Sequence, residues 1–278
     1  MEIIEHIDAL RREGVLLADA AARTDLAAPV PTCPDWQLRD LVLHTGQVHR
    51  WATALVRDGH REPLDAEGER AAWGPEPSDA ALVDWFRTGH AALVAALAAA
   101  PADLECWSFL PAPTPLAFWA RRQAHETAVH RFDADAAAGA DGPRVATGLA
   151  LDGIDELLAG FMSRGRARVR SEQPRTVLIR PTDPAPGDVT PSAGPTDPAP
   201  GGIPTDGPGS WLLTISREPL TVTRRAAGAA GPADLTISGP ARDLYLLLWN
   251  RLPAERVELT GDRALLDLWR ETAVVRWS

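Results

Sequence analysis

The chain has 278 residues and a mass of 29.8 kDa, with 45% hydrophobic and 24% charged residues. That is enough to bury a core in one large or two ordinary domains, and it excludes a disordered chain and a small disulfide-stapled scaffold. Acids outnumber bases 38 to 28 for a formal charge of −10, and every basic residue is arginine; this balance opposes phosphate-backbone binding, so no nucleic-acid partner is expected.

The opening residues carry charges throughout, with no basic segment leading into an apolar run, and no uncharged stretch is long enough to span a bilayer. A cytoplasmic protein with no membrane partner is therefore expected. Cys33 and Cys106 are too few for a disulfide framework and are read as structural thiols.

Four long helices are predicted up to about residue 140. The first runs from about Glu2 to Thr24, with Ile3, Ile7, Leu10 and Leu17 at helical spacing. The second opens at Thr32-Cys33-Pro34-Asp35, where Thr can cap and Pro is tolerated in a first turn, and continues to about Arg57. Its apolar stripe is Leu38, Leu41, Val42, Val48, Ala52 and Leu55. A third helix starts near Ser78, and a fourth runs from Thr114-Pro115 to about Ala138. Four helices of this length form a bundle, assigned to residues 1–145.

From 150 to 278 the pattern is that of a smaller α+β domain. A helix from Asp152 to about Ser163 precedes short β-like runs at 176–179, 211–215, 220–223, 233–237 and 257–259. Two helices are interleaved, one after Ser238-Gly239-Pro240 and one after Thr260-Gly261-Asp262. The stretch 181–209 is dominated by Pro and Gly and repeats PTDPAPG at 181–187 and 195–201; it is read as a loop with no assigned role.

Few residues carry a chemical signal. His44 stands three residues after Leu41 and four before Val48, on the core-facing stripe of the second helix, where a hydrogen-bonded core histidine is the commoner outcome. His49 and His60 are read as surface residues, and His6 and His90 have no evident companions. On the fourth helix His125 and His130 are five apart, about 140° around the axis, so the HExxH metalloprotease pattern fails. Glu126 and His130 are four apart and share a face, where they can converge on one ion or, with Asp133, form an exposed polar face. His125 falls on the apolar side and is read as packed.

Two segments, PTCPDWQLRDLVLHTGQVHRW at 31–51 and WARRQAHETAVHRFDAD at 119–135, together resemble the N-terminal metal-binding domain of the mycothiol-dependent maleylpyruvate isomerase family, one of the DinB-like helical bundles. ADLTISGPARDLYLLLWNR at 233–251 and VELTGDRALLDLW at 257–269 resemble that family's C-terminal domain, which is similar in topology to sterol-carrier-protein folds. The resemblance implies a divalent ion, usually zinc, held by His44, Glu126 and His130. Three protein ligands leave an open position of the catalytic kind.

The resemblance also implies mycothiol as the thiol partner. Its thiolate adds to the cis double bond of a maleylpyruvate-like substrate, the bond rotates, and elimination returns the trans isomer; in an S-transferase the thiol stays on its electrophile. Arg251 matches an arginine of the family's C-terminal motif and is a candidate for a dicarboxylate substrate. Arg164, Arg166, Arg168 and Arg170 are read as a solvated segment between domains. The rival readings are a non-enzymatic metal- or ligand-binding module and a hydrolase using zinc-bound water.

Overall fold

The computed structural model describes residues 1–140, 142, 144–183, 209–226, 229 and 231–275. Most of the Pro/Gly-rich segment expected as a loop, 184–208, lies outside the described residues. The chain divides into two compact units, Met1–Val145 and Ala146–Ser278.

The first unit contains α1 (Ile3–Ala22), α2 (Leu38–Asp58), α3 (Ala66–Trp73), α4 (Asp79–Ala99) and α5 (Pro115–Ala137). Local chemistry sets each start. Glu2 with Glu5, and Gln37 with Asp40, form reciprocal capping boxes on α1 and α2. The Asp65 and Thr114 side chains accept the Gly68 and Ala117 amides at 2.8 and 3.1 Å, opening α3 and α5. Gly59 ends α2 in the left-handed conformation, φ 64°.

Two details depart from the sequence reading. The short α3 interrupts a predicted loop, and α2 begins six residues later than Thr32. The Thr32 hydroxyl is not free to cap, because it donates to Asp133 on α5 at 2.6 Å. Residues 30–36 instead form tight turns, with the Cys33 amide bonded to the Val30 carbonyl and the Trp36 amide to the Cys33 carbonyl.

The bundle pairs α1 with α5 and α4, and α2 with α4 and α5. Leu17, Ala21, Leu38, Leu41, Leu82 and Phe86 meet in its core. Gly46 on α2 takes the Trp85 ring against its backbone; a Cβ there would stand 2.2 Å from the ring. α5 is buried on all sides, although Arg122, Gln123, His125, Glu126, Thr127, His130, Arg131 and Asp133 all lie on it. Such a helix is stable only if these groups find partners inside the bundle. Arg131 finds Glu13 on α1 at 2.9 Å and Asp135 at 2.5 Å, which ties α1 to α5 through buried charges.

The second unit opens with α6 (Thr147–Asp155), which runs on into a π-helical segment, Glu156–Met162, so the helix expected from Asp152 starts five residues earlier. The strands β1 (Arg175–Pro181), β2 (Ser210–Ile215), β3 (Thr221–Arg225), β4 (Leu235–Gly239) and β5 (Glu258–Gly261) form one mixed sheet in the order β3-β2-β1-β4-β5. β1 and β4 are parallel and the other neighbours antiparallel. α7 (Ala241–Leu248) and α8 (Ala264–Thr272) supply Leu248, Leu265 and Trp269 to the apolar layer that covers Val177, Ile179 and Ile237. No helix among the described residues is long and apolar enough to cross a membrane.

Candidate metal centre

α2 and α5 bring His44, Glu126 and His130 together, with one ligand-capable atom from each lying within 4.8 Å of the others. Glu126 Oε1 is the hub, 3.5 Å from His44 Nε2 and 3.2 Å from His130 Nε2. The two imidazoles meet edge to face at 5.2 Å between centroids. Trp36, delivered by the turn before α2, packs against His44 at 5.0 Å and stacks on His130 at 6.0 Å. Glu126 and His130 are buried, while the His44 side chain is 27% exposed, so the cluster reaches solvent on the α2 side. His44 thus sits at the rim of the core rather than within it.

Asp133, fully buried one turn beyond His130, accepts from His130 Nδ1 at 2.9 Å. That bond places the ring proton on Nδ1 and leaves Nε2 facing Glu126, the orientation used for a ligating histidine. Asp133 is itself held by the Thr32 hydroxyl and, at 3.6 Å, the Cys33 thiol. On the other side, the buried Arg122 guanidinium donates to Glu126 Oε2 at 3.3 Å. The carboxylate therefore has one oxygen tethered and the other aimed between two imidazoles.

Burial alone would raise the Glu126 carboxyl. His130 and His44 beside it, then the charges of His130 and Arg122, more than reverse this and hold it well below the usual carboxylate range. Burial likewise disfavours the charged His130 ring, but Asp133 and Glu126 raise it to about 9. His130 is thus flanked by two carboxylates, in the kind of anionic cage where a divalent cation is stable. Glu126 Oε1 supports the fit: it is buried, yet makes no hydrogen bond of acceptable geometry. A carboxylate oxygen and two imidazole nitrogens are a ligand set that zinc accepts.

The structure settles several sequence readings. Glu126, His130 and Asp133 form no exposed polar face; all three are buried. His49 is not a surface residue but fully buried, its Nε2 2.9 Å from the Thr127 hydroxyl. It also lies beside His90, the two rings tilted and their centroids 5.3 Å apart, and His6 packs edge-on against His125 at 6.0 Å. His60 is exposed. Cys106 is buried, and burial raises its thiol. Arg251 lies three residues beyond the end of α7, partly buried, with its guanidinium on the Trp249 carbonyl at 3.2 Å. Asp133, Arg122 and Trp36 were missed as parts of the site. Asp133 and Arg122 carried a local signal, three residues after His130 and four before Glu126 on the same helix, whereas Trp36 carried none.

The fold and the cluster define a helical bundle with a partly buried His-Glu-His centre, joined to a mixed-sheet domain. The sequence matches the mycothiol maleylpyruvate isomerase N-terminal domain over residues 7–135 and the C-terminal domain of the same family over residues 148–268. The chain belongs to the mycothiol-dependent maleylpyruvate isomerase family. Crystal structures of the mycothiol-dependent maleylpyruvate isomerase and of a histidine-to-alanine mutant of it share the fold, with TM-scores of 0.57 and 0.58 at 14% identity. Each alignment covers 94% of this chain and 93% of the other. No curated protein sequence matches the chain significantly.

Proposed function

We propose that this protein is a metal-dependent enzyme that uses a low-molecular-weight thiol, mycothiol, against an electrophilic small molecule such as a maleylpyruvate-like dicarboxylate, with His44, Glu126 and His130 as the metal ligands. The observation that carries the reading is the hub geometry of Glu126, one oxygen tethered by Arg122 and the other left without a hydrogen bond between two imidazoles. A zinc ion on three protein ligands keeps a position open and lowers the pKa of a thiol or water placed there.

The chain's own residues do the remaining work. Asp133 fixes the His130 tautomer, Arg122 orients Glu126, and Trp36 covers one flank so that water is partly excluded. His44, partly exposed, marks the side from which thiol and substrate enter. The thiolate adds to one carbon of the activated cis double bond and the electron pair moves toward the carbonyl. Rotation about the new single bond follows, and elimination expels the thiolate and restores the double bond as trans. When the electrophile cannot eliminate, the same attack ends in S-transfer. Arg251 is assigned to the substrate carboxylate on its guanidinium chemistry.

The space under the sheet does not serve as a lipid-carrying site. The cavity lined by Val177, Ile179, Ile237, Leu265 and Trp269 holds about 10 Å³, room for about one water and not for a lipid. The test is turnover of maleylpyruvate by zinc-loaded protein with and without mycothiol, beside His44→Ala. Thiol-dependent isomerisation lost in the variant supports the assignment, and thiol-independent hydrolysis by the wild type overturns it.

A further inference from the structure

In this acid-rich chain most arginines find an acid. Arg39 bridges Glu76 and Asp79, Arg175 bridges Asp234 and Asp262, and Arg224 reaches Asp155. Arg164, Arg166 and Arg168, like Arg144, Arg225 and Arg263 elsewhere, make no side-chain hydrogen bond or ion pair among the described residues, but these three stand within five residues of one another. They follow the π-helical segment and, with the apolar side chains of Phe161, Met162 and Val274, line one cavity of about 170 Å³ within the second unit. Phe161 and Met162 are buried at its floor, whereas Val274 is one of the chain's exposed large hydrophobics, 47% accessible.

Like charges do not gather without cause in a chain of net charge −10. Burial lowers the Arg164 guanidinium, and the nearby Arg166 charge lowers it further, so the two repel each other with no acid between them. Such an arrangement is relieved by an anion. Guanidinium forks suit a planar carboxylate, and the apolar floor suits a short hydrocarbon body. The volume is below the roughly 300–1,000 Å³ of sites that take drug-sized ligands. It has room for a small acid and not for a nucleotide or a whole thiol cofactor.

We propose that the cavity between residues 161–168 and the end of α8 is a binding site for a small organic carboxylate, with Arg164 and Arg166 gripping the carboxylate and Phe161 and Met162 contacting its carbon skeleton. This goes beyond the thiol-enzyme reading and stands whether or not the bundle holds a metal.

The experiment is calorimetric titration of maleate, at fixed ionic strength, into the full-length wild type, an Arg164→Gln/Arg166→Gln variant and a His130→Ala variant. Both arginines reach solvent, so their replacement leaves the fold intact. The expected result is one maleate site that keeps its affinity in His130→Ala and weakens at least tenfold in the double arginine variant. Unchanged binding in the arginine variant overturns the proposal, and so does loss of binding in His130→Ala, which places maleate at the bundle's centre instead. A competition arm separates carboxylate from inorganic anion: phosphate that displaces maleate at equal concentration overturns the carboxylate assignment.

Discussion

Asp133→Asn isolates how the bundle presents His130. The substitution preserves shape and removes no candidate ligand, but it changes what His130 Nδ1 meets. The native carboxylate accepts from His130 on one oxygen and from Thr32 on the other, at 2.9 and 2.6 Å. An asparagine has one acceptor oxygen and one donor amide, so it can accept from only one of them. If the oxygen stays with Thr32, the amide faces Nδ1 and favours the tautomer with its proton on Nε2, the atom 3.2 Å from Glu126. Loss of such a hydrogen bond to a ligating histidine costs about 10–100-fold in metal affinity, or about 1.4–2.7 kcal/mol. Competition for zinc against a chromophoric chelator at pH 7.5 measures it, with Asp135→Asn as control. Asp135 is also a buried acid of α5, but it serves Arg131 and not His130. Wild-type zinc affinity in Asp133→Asn, or an equal loss in Asp135→Asn, refutes the reasoning.

Three further outcomes are expected. His49 is fully buried and its pKa is held well below the ordinary value, first by burial and then by His90. As pH falls below about 6.5, the unfolded chain binds a proton that the folded chain refuses, so stability drops by up to about 1.4 kcal/mol per pH unit from this group alone. His49→Gln therefore flattens the fall in thermal midpoint between pH 6.5 and 5, and parallel profiles would falsify this. Arg131→Met removes the buried cation between Glu13 and Asp135 and leaves them only the half-exposed Arg12 and Arg23, at 3.2 and 3.8 Å, which costs about 3–5 kcal/mol in denaturant unfolding; a loss below 1 kcal/mol counts against a buried network. Gly46→Ala forces a methyl onto the Trp85 ring and costs about 1–3 kcal/mol, readable as a lowered melting temperature; an unchanged melting temperature speaks against close α2–α4 packing.

Much of this molecule was legible in its sequence, for identifiable reasons. Thr114-Pro115 marks the start of α5 because both residues are specific to a first helical turn, and the helix begins there. The β-like runs map onto all five strands because β-branched and apolar residues alternate between turn residues. The Glu126–His130 pairing follows from helical spacing on one element. The start of α2 was misplaced because Thr32 has a partner 101 residues away, and a capping hydroxyl and a tertiary one look the same in sequence. The burial of His49 was hidden in the same way, since its partner Thr127 lies on another helix. α5 is buried all round, so its polar residues gave no stripe to read. Trp36 became part of the site only through what the fold set beside it.

The central claim is that a thiol engages this protein through the His44-Glu126-His130 centre. Calorimetric titration of mycothiol into zinc-loaded wild type and into Glu126→Ala, repeated in two buffers of different ionisation enthalpy, tests it most directly. The account predicts a single site in the wild type, release of about one proton per thiol at pH 7 because the thiol gives up its proton on binding, and no binding in Glu126→Ala. Equal binding by both proteins, or binding by the wild type without proton release, would contradict it.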